Sequence, residues 1–374
     1  MKIAIINKRF SPLRSATGFH AYQLALYLRD ADHQVQFIST LPNRAEVPKT
    51  TDGIDRIWIN SSYDGKNIVR RLLADFTDAW RLIRRAKSSG VDHTIVMSDP
   101  PFLQLIATYY LVPSDTSFWF MDIYPQAFVA RGLVNKRNPI YKWYPGRLKA
   151  YWPEHVLALG EQQASYIQNE FDYTNNVNMP IGLQELNITD SAQQPSWYEG
   201  DHLIYLLYKG NLGSAHDDQF LVTLANHLDP SKHRLIVNVS GAKSEHFLNS
   251  IENNITVHIA DKMTEPDLTF VHIHIVTLLD EWTHICVPSK ALFALSVGSA
   301  VLYHGSDQSD TWGYVDPVGW RVSNDYASSS EIKSFLAELS IEEIKKREVL
   351  SVQLYQALSS QLKESYANYE SKLR

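Results

Sequence analysis

The first forty residues alternate strand-like and helix-like stretches at a spacing that a parallel sheet requires. Lys2–Asn7 and Val35–Ser39 are short apolar runs, and His20–Arg29 between them is predicted to be a helix. Parallel neighbours need a long crossover, so strand, helix and strand in this order form a right-handed βαβ unit. The chain is therefore predicted to belong to the α/β class.

The length and composition predict two globular domains. A chain of 374 residues exceeds one ordinary core, and its 44% apolar and 20% charged residues are typical of soluble proteins. The opening MKIAIINKRF is interpreted as a first strand rather than a signal peptide, and no apolar run reaches the roughly 18 residues of a membrane span. With Cys286 alone there is no internal disulfide or cysteine metal cluster, which fits a reducing cytoplasm.

Charge is distributed unevenly along the chain. Residues 1–180 contain 21 Lys and Arg against 16 Asp and Glu, a balance of +5. The remaining residues contain 14 and 25, a balance of −11, which gives −6 for the whole chain. The basic first half is expected to meet something anionic.

The stretch Val287–Gly305 is predicted to run through a loop, a helix, a glycine and a buried strand. Ser289 is a suitable N-cap, Gly298 ends the helix, and Val301–Tyr303 begins the strand. Lys290 falls in the first turn, where free amides, the helix dipole and an ammonium group favour an anion together. The alternative is a capped helix with a solvated lysine.

This stretch resembles the donor-binding helix of glycosyltransferase family 4, a family with the GT-B fold. The family commonly has Pro-Ser-Lys, a helix, a small-x-Gly turn and a Pro-Val-like strand. The matching residues are Pro288, Ser289, Lys290, Gly298 and Val301. The family's ribose-binding Glu lies five residues before the glycine, and this chain has Phe293 there.

A second match follows the predicted strand Leu203–Tyr208. It resembles the family's Gly-Asn-Leu-Gly loop, whose backbone approaches the donor diphosphate, and glycine allows that approach. The residues of this loop are Lys209, Gly210, Asn211, Leu212 and Gly213.

The resemblance also shows where fixed positive charge is missing. The familiar version of the loop has an Arg after the first glycine and a Lys five residues further on, and here these places hold Asn211 and His216. Lysines at three loop ends of one predicted sheet are candidates to replace that charge. They are Lys209, Lys290 and Lys243, the last following a strand and Gly241.

The first loop of the chain contains one candidate donor contact. The family has a Gly-Gly pair there that touches the donor phosphate, and Gly18 supplies half of it. The alternative is a glycine at a helix start. A dinucleotide fingerprint needs three glycines, so an NAD-type Rossmann enzyme is disfavoured.

An acidic residue follows the predicted strand Phe118–Met121. Asp122-Ile-Tyr-Pro125 resembles the segment that this family places beside the acceptor. At the carboxyl end of a parallel strand, the Asp122 carboxylate is positioned to accept the proton of an acceptor hydroxyl. The alternative is a turn or helix-cap aspartate. Upstream, Asp99-Pro100-Pro101 matches the family's turn at the cleft rim.

Two basic stretches of the first half carry further predictions. One predicted helix is expected to turn its apolar positions inward, and these are Leu72, Leu73, Phe76, Trp80 and Ile83. The same helix carries Arg70, Arg71, Arg81, Arg84 and Arg85. Residues 135–152 alternate basic and aromatic side chains. They are interpreted as a packed loop, as a membrane-surface contact or, least favoured, as a nucleic-acid contact.

Two features of the second half complete the candidate site. Glu281 lies in the loop that the family presents to the donor sugar, and it is the candidate for a sugar hydroxyl contact. His272 and His274 share one face of a predicted strand near His258, but they lack partners at metal-ligand spacing. No metal site is predicted.

The resemblance implies the GT-B architecture, in which two Rossmann-like α/β domains face each other across a cleft. Residues 1–180 would form the acceptor-side domain and residues 181–350 the domain that binds the nucleotide sugar. Residues 351–374 would form a C-terminal helix that returns to the first domain.

The resemblance also implies the reaction. A sugar would move, with retention and without a metal or cofactor, from a UDP- or GDP-linked donor to a hydroxyl acceptor in bacterial surface polysaccharide or glycan assembly. A lipid-linked acceptor at the inner membrane surface would favour the interpretation of residues 135–152 as a membrane-surface contact. The protein would then lie in the cytoplasm or peripherally at the membrane. No nucleic-acid partner is expected. The alternatives are a nucleotide-sugar epimerase of the same architecture and a non-catalytic scaffold, the latter motivated by Asn211, His216 and Phe293.

Overall fold

The computed structural model describes two compact units. One unit comprises Met1–Pro180 together with Leu362–Arg374, and the other comprises Ile181–Gln361. Residues 11–15, which belong to the predicted first loop, lie outside the described part of the chain. The described residues are 1–10, 16–41, 52–63, 65, 67–186, 193–325 and 328–374.

The described part of the first unit contains one parallel sheet. Its strands are β1 (Lys2–Ile6), β2 (Gln34–Leu41), β3 (Asp55–Asn60), β4 (His93–Val96), β5 (Thr116–Trp119), β6 (His155–Ala158) and β7 (Asn176–Asn178). They lie in the order β3-β2-β1-β4-β5-β6-β7. The central strands are short and, apart from Lys2 at the start of β1, buried, as expected when helices cover both faces of a parallel sheet.

Helices connect these strands. They are α1 (Ala16–Asp30), α2 (Ile68–Lys87), α3 (Leu103–Tyr110), α4 (Gln126–Ala130), α5 (Pro139–Lys149) and α6 (Glu161–Phe171). The strand order reverses between β1 and β4, because β1 pairs with β2 on one side and with β4 on the other. Ligands of open α/β sheets bind outside the carboxyl ends of the strands at such a switch point.

The second unit repeats this plan with a parallel sheet of its own. Its strands are β8 (Ile204–Asn211), β9 (His233–Ser240), β10 (Val257–Ile259), β11 (Ile273–Thr277), β12 (Ala300–His304) and β13 (Gly319–Val322). They lie in the order β10-β9-β8-β11-β12-β13, so the switch point falls between β8 and β11. The helices are α7 (Asp218–His227), α8 (Ser244–Ile251), α9 (Ser289–Ser296), α10 (Asp310–Val315), α11 (Ser328–Glu338) and α12 (Ile341–Leu373).

Alternation along β8 builds two core layers in the second unit. Leu206 and Tyr208 pack in one hydrophobic cluster, and Tyr205 and Leu207 pack in the other. Successive side chains of a strand point to opposite faces, so the sheet is covered on both sides. This is a doubly wound, Rossmann-like arrangement.

The long helix α12 contributes to both units. Its residues to Gln361 belong to the second unit, and those from Leu362 belong to the first. In the first unit, Tyr369 Oη donates to Ser117 Oγ at 2.9 Å, and Glu370 Oε1 lies 3.0 Å from His33 Nε2. The last turns of α12 are thus anchored by one buried and one partly buried polar pair.

The inward face predicted for α2 is partly wrong. Ile83 is buried as expected, but Leu73 and Phe76 are exposed. The buried face instead carries Asp75 and Asp78, which form ion pairs with Lys8 Nζ at 2.7 and 2.9 Å. A buried ammonium group needs such partners, so the helix turns its carboxylates toward the sheet.

The packed-loop interpretation of residues 135–152 is right about the packing and wrong about the loop, because the segment contains α5, which packs against α3 and α6. Asn138 Oδ1 accepts the Ile140 amide at 2.9 Å, and Pro139 occupies the first helical turn, a combination that starts helices well. Tyr144 and Leu148 are its buried side chains. Tyr151, just after the helix, is buried as well. The exposed basic and aromatic residues of the segment are Lys136, Arg137, Lys142, Trp143, Lys149 and Trp152.

The described part of the chain has no helix that is both long enough and apolar enough to cross a membrane.

Buried neutral histidines predict loss of stability in acid. Burial, together with the nearby charge of Lys209, lowers the pKa of His274 to about 3, and its Nε2 has no hydrogen-bond partner in the described part of the chain. In the unfolded chain a histidine binds a proton near pH 6.5, so the stability that His274 contributes is complete above that pH and is lost as the pH falls. Between pH 7.5 and 5 the loss is roughly 2 kcal/mol.

We expect His274→Leu to reduce this pH-dependent loss by that amount when urea unfolding of the second unit is followed at both pH values. Ile275→Val, a change at the next buried position of β11, serves as the control and lowers stability equally at both pH values. An unchanged difference in the His274→Leu variant would contradict the prediction.

Candidate functional site

The loop that follows β8 is held against the end of β11 at the switch point of the second sheet. The Leu279 amide donates to the Ala215 carbonyl at 3.0 Å, and the Asp217 amide donates to Thr277 Oγ1 at 3.1 Å. Asp217 also caps α7 by accepting the Phe220 amide at 3.0 Å. Main-chain groups of two strand ends are therefore fixed at one edge of the sheet.

Two glycine turns meet at this edge. Gly210 and Gly241 have φ angles of +109° and +108°, which side chains other than hydrogen rarely allow. The Leu212 amide donates to Ser240 at 2.6 Å, and the Lys243 amide donates to Leu212 at 3.1 Å. A Cβ atom on Gly241 would lie only 3.0 Å from the Leu212 carbonyl oxygen. The turns after β8 and β9 form one continuous backbone surface.

Lys290 reaches this surface from the first turn of α9. Its Nζ donates to Tyr208 Oη and to the Asn211 carbonyl, both at 2.8 Å, and lies 4.2 Å from the centroid of the Tyr208 ring. Burial lowers the pKa of Lys290 to about 7. The ammonium group has no carboxylate among these partners, so an incoming anion would supply its counter-charge.

Lys243 joins the same loop from the other side. Its Nζ donates to the His216 carbonyl at 2.6 Å and pairs with Asp218 Oδ1 at 3.0 Å. His216 is buried, with Nδ1 2.6 Å from the Thr277 carbonyl oxygen. Burial, followed by the charge of Lys290, lowers the pKa of His216 to about 3. His216 is therefore neutral at pH 7, and the local positive charge comes from lysines.

Lys209 has a different environment. It follows Tyr208 on the strand and so points to the opposite face, where its Nζ lies 5.5 Å from the centroid of the Phe293 ring. Burial lowers the pKa of Lys209. Phe293, at the position of the family's Glu, packs against the core cluster beneath it. Of the three predicted lysines, the structure brings Lys243 and Lys290 onto one loop and places Lys209 beside Phe293.

The start of α9 differs from the prediction. Pro288 is the N-cap residue and makes no side-chain capping bond, whereas Ser289 is the first helical residue. The predicted capping role of Ser289 is wrong, because proline with its fixed φ stands where the chain turns into the helix. The predicted end is confirmed: α9 stops at Ser296, and Gly298 has a φ of +72°.

Glu281 is exposed in a 3-10 turn, Asp280–Trp282, that follows β11. It lies two residues beyond Leu279, whose amide contacts Ala215. The neighbouring Asp280 Oδ1 accepts Asn324 Nδ2 at 2.5 Å, which ties this turn to the segment after β13. Glu281 is thus close in sequence to the residue that bonds to the loop after β8, and its carboxylate lies in solvent.

In the first unit two carboxylates lie at neighbouring strand ends. Asp122 follows β5, and its amide donates to Ser98 Oγ at 3.0 Å. Burial raises the pKa of Asp122 to about 6, with the charge of Arg131 opposing and that of Asp99 adding. Asp99 follows β4, its pKa is also raised by burial, and its Oδ2 has no hydrogen-bond partner in the described residues. Such an oxygen can accept a hydrogen bond from a hydroxyl group.

Gly18 lies inside the first turns of α1 and is buried. A Cβ atom there would be 2.6 Å from the Arg9 carbonyl oxygen, so this position requires glycine for packing against the backbone after β1. That close contact explains why a glycine is required at this helix start. Its predicted phosphate contact stays a prediction.

The histidines give no sign of a metal centre. His274 is buried beside the Phe293 ring, and His272 Nδ1 accepts the Tyr205 amide at 3.0 Å. Among the described residues, no group of three or more His, Cys, Asp or Glu side chains is arranged to hold a metal ion.

Sequence reasoning missed three participants of these sites. Asp99 follows a buried strand just as Asp122 does, so the same strand-end argument would have found it. Tyr208 and Arg131 carry no comparable signal. Tyr208 is an apolar core position by pattern, and only the folded chain puts its hydroxyl beside Lys290.

Solved structures that match this chain over nearly its whole length include glycosyltransferases. Sucrose-phosphate synthase from Thermosynechococcus elongatus matches with a TM-score of 0.76 at 12% identity, over 100% of this chain and 98% of that chain. An E. coli trehalose-6-phosphate protein bound with UDP-2-fluoro glucose matches with a TM-score of 0.68 at 9% identity, over 100% and 99%. WaaG, involved in lipopolysaccharide biosynthesis, matches with a TM-score of 0.63 at 10% identity, over 99% of each chain.

These likenesses show that the chain has the GT-B fold of glycosyltransferases, and they confirm the predicted fold class. No family model and no curated protein matches the sequence.

Proposed function

We propose that the protein is a glycosyltransferase that moves a sugar from a nucleoside diphosphate sugar to a hydroxyl acceptor, with the donor held by the second unit and the acceptor by the first. The observation that carries the proposal is the junction of the Gly210 and Gly241 turns with Lys290 and Lys243 on one loop. Close backbone, helix-start amides and ammonium groups are what a diphosphate requires.

The chemistry follows from this charge arrangement. When the bond between the anomeric carbon and the phosphate oxygen breaks, its electron pair goes to the diphosphate. The ammonium of Lys290 and the amides at the start of α9 stabilise that developing charge, which lowers the barrier. The acceptor oxygen forms the new bond to the anomeric carbon on the same face, so configuration is retained, and no metal is needed for the charge.

The donor is a UDP- or GDP-linked sugar in this proposal. The E. coli protein of similar fold binds UDP-2-fluoro glucose, which supports the uridine member of this pair. Phe293 places an apolar ring where the resembling family has a ribose-binding Glu, so the ribose has a different contact here. Glu281 is the candidate for a hydroxyl of the transferred sugar.

Asp122 is the proposed general base on the acceptor side. Its carboxylate takes the proton of the acceptor hydroxyl as that oxygen bonds to the sugar, and a pKa near 6 matches this task at neutral pH. Asp99 Oδ2, which lacks a partner in the described residues, is suited to orient the same acceptor.

The biological setting we propose is assembly of a bacterial surface polysaccharide or glycan in the cytoplasm, at the inner surface of the membrane, on a lipid-linked acceptor. WaaG, with the same fold, is involved in lipopolysaccharide biosynthesis. The excess of positive charge in residues 1–180 supports an anionic partner for that half.

Calorimetry with UDP, GDP and ADP tests the function directly. We expect one of the first two to bind, and we expect release of free nucleotide from the matching nucleotide sugar to require an acceptor hydroxyl. Absence of binding by every nucleotide would instead indicate a non-catalytic scaffold. Conversion of the bound sugar without any acceptor would indicate an epimerase.

We expect Lys290→Ala to lower turnover at least tenfold, because the diphosphate then departs without its nearest ammonium group. Steady-state rates with saturating acceptor measure the change. Lys232→Ala is the matched control, since this exposed lysine precedes β9 at the opposite edge of the same sheet. Wild-type rates in the Lys290 variant would remove that residue from the site.

The pH profile of kcat/KM is expected to be bell-shaped. Asp122 must be ionised to act as a base, so activity rises as the pH passes about 6. Lys290 must be protonated to bind the diphosphate, so activity falls as the pH passes about 7. Asp122→Asn is expected to abolish the lower limb and to reduce the rate about 100-fold.

The matched control for Asp122→Asn is Asp115→Asn, an exposed aspartate that precedes β5 at its amino end. It should preserve both limbs. A lower limb that persists in Asp122→Asn would assign that ionisation to another group.

A further inference from the structure

The outward side of α2 carries an apolar stripe. Ile68, Val69, Leu73 and Phe76 have between 51% and 65% of their surface exposed. At about 100° per residue, Val69, Leu73 and Phe76 share one face of the helix, roughly opposite the buried Asp75 and Asp78, and Ile68 is its exposed first residue. Single exposed apolar residues are common, but three on one helix face, with a fourth at the helix start, form the kind of patch that marks interaction surfaces.

Helix α5 extends this patch. Ile140 and Trp143 are exposed by 64% and 51% on its first turns. Tyr144 Oη donates to the Pro101 carbonyl at 2.7 Å, which fixes this end of α5 beside the turn after β4. Helix α3 contacts both α2 and α5, and the Phe76 and Phe102 rings lie 5.7 Å apart. The two exposed stripes therefore belong to one side of the first unit.

The charge around the stripes has a single sign. The acidic residues of α2 are Asp75 and Asp78, both buried against Lys8, so its exposed charges are all positive. No acidic residue occurs between Asp122 and Glu154. The basic residues of α2, of α5 and of the turn before α5 are Arg70, Arg71, Arg81, Arg84, Arg85, Lys87, Lys136, Arg137, Lys142, Arg147 and Lys149.

We propose that this surface, formed by α2 and α5 and called the α2–α5 face below, binds the surface of an anionic lipid bilayer. Aliphatic and aromatic side chains flanked by arginine and lysine on the same helix are the pattern of an interfacial amphipathic helix. The apolar groups enter the boundary of the acyl chains, while the cations meet anionic headgroups.

Charge complementarity selects this occupant. A second copy of the chain on the same face would set arginines against arginines across a two-fold axis, which is unfavourable. A nucleic acid would match the charge but not the aliphatic Ile68, Val69 and Leu73, since bases stack on planar groups. An anionic bilayer satisfies both the charge and the apolar area.

The α2–α5 face adjoins the acceptor-side carboxylates. The start of α2 follows β3 and the start of α3 follows β4, so both lie at the carboxyl edge of the sheet, where Asp99 and Asp122 also lie. The next step rests on the proposed function. If that function holds, the bilayer presents the hydroxyl of a lipid-linked acceptor at that edge. The lipid-binding surface itself needs no nucleotide.

Flotation of the full chain with lipid vesicles tests the inference. We expect binding to vesicles of phosphatidylcholine and phosphatidylglycerol at 70:30, with at least tenfold weaker binding to phosphatidylcholine alone and at 0.5 M salt. Leu73→Ser with Phe76→Ser is expected to weaken binding at least tenfold, and so is Arg70→Gln with Arg71→Gln. These side chains are exposed, so circular dichroism should show a folded protein.

The matched control is Ile255→Ser with Ile259→Ser, two exposed apolar residues of the second unit. This variant should bind vesicles like the wild type. Absence of binding to the phosphatidylglycerol vesicles, or equal binding by the Leu73/Phe76 variant, would overturn the proposal. A wild-type dimer that becomes monomeric in that variant would also overturn it, by assigning the face to a second copy.

Calorimetric nucleotide titration separates this inference from the proposed function. The Leu73/Phe76 variant should bind nucleotide like the wild type, whatever its affinity for vesicles. Vesicle binding by a chain that binds no nucleotide would leave the α2–α5 face standing and remove the glycosyltransferase proposal.

Discussion

The close approach of the turns after β8 and β9 organises the candidate donor site. The amide and carbonyl of Leu212 bond to Ser240 and Lys243, and this leaves no space for a Cβ atom on Gly241. Because the loop is fixed there, the Asn211 and His216 carbonyls point toward Lys290 and Lys243. In the proposed function, anion recognition would therefore rest on the backbone, and the lysines would add charge to a shape that glycine makes possible.

A buried ionic contact fixes the orientation of α2 in the first unit. Lys8 lies buried after β1 and pairs with Asp75 and Asp78, so α2 must present that face to the sheet. Burying these charges is tolerable only while all three remain together. The consequence reaches the surface, since the opposite apolar positions of α2 are left exposed. These two buried ion pairs thus determine which side chains of α2 face outward.

This chain lacks several residues of the glycosyltransferase family that it resembles, yet it keeps the fold. Identity to the three similar structures named above is only 9 to 12%, yet the matches cover 98 to 100% of each chain. At the positions of the family's Arg and Lys stand Asn211 and a neutral His216, and positive charge comes instead from the helix start at Lys290 and from the turn after β9 at Lys243. Electrostatic function depends on where charge lies in space, which several sequence positions can satisfy.

Much of the fold could be predicted from pattern alone. Buried runs such as those of β1 and β12, and glycine after α9, have local physical causes: a strand covered on both faces must be apolar throughout, and a left-handed residue favours glycine. Strand ends therefore pointed to Asp122 and to the 209–213 loop. The α/β class and the strand-end location of Asp122 follow from local residue chemistry, whereas the 209–213 loop and the lysines as donor contacts were implied by the family resemblance.

Only the tertiary structure decided which of these residues lie close together. It separated Lys209 from Lys290 and Lys243, gave α9 a proline cap, converted residues 139–149 into a helix and turned Leu73 and Phe76 outward. It also brought the Tyr208 hydroxyl to Lys290 and raised the pKa of Asp122 by burial. Periodicity reports that a helix has an apolar side, but contacts between residues far apart in the chain, such as Lys8 with Asp75, determine which side is buried.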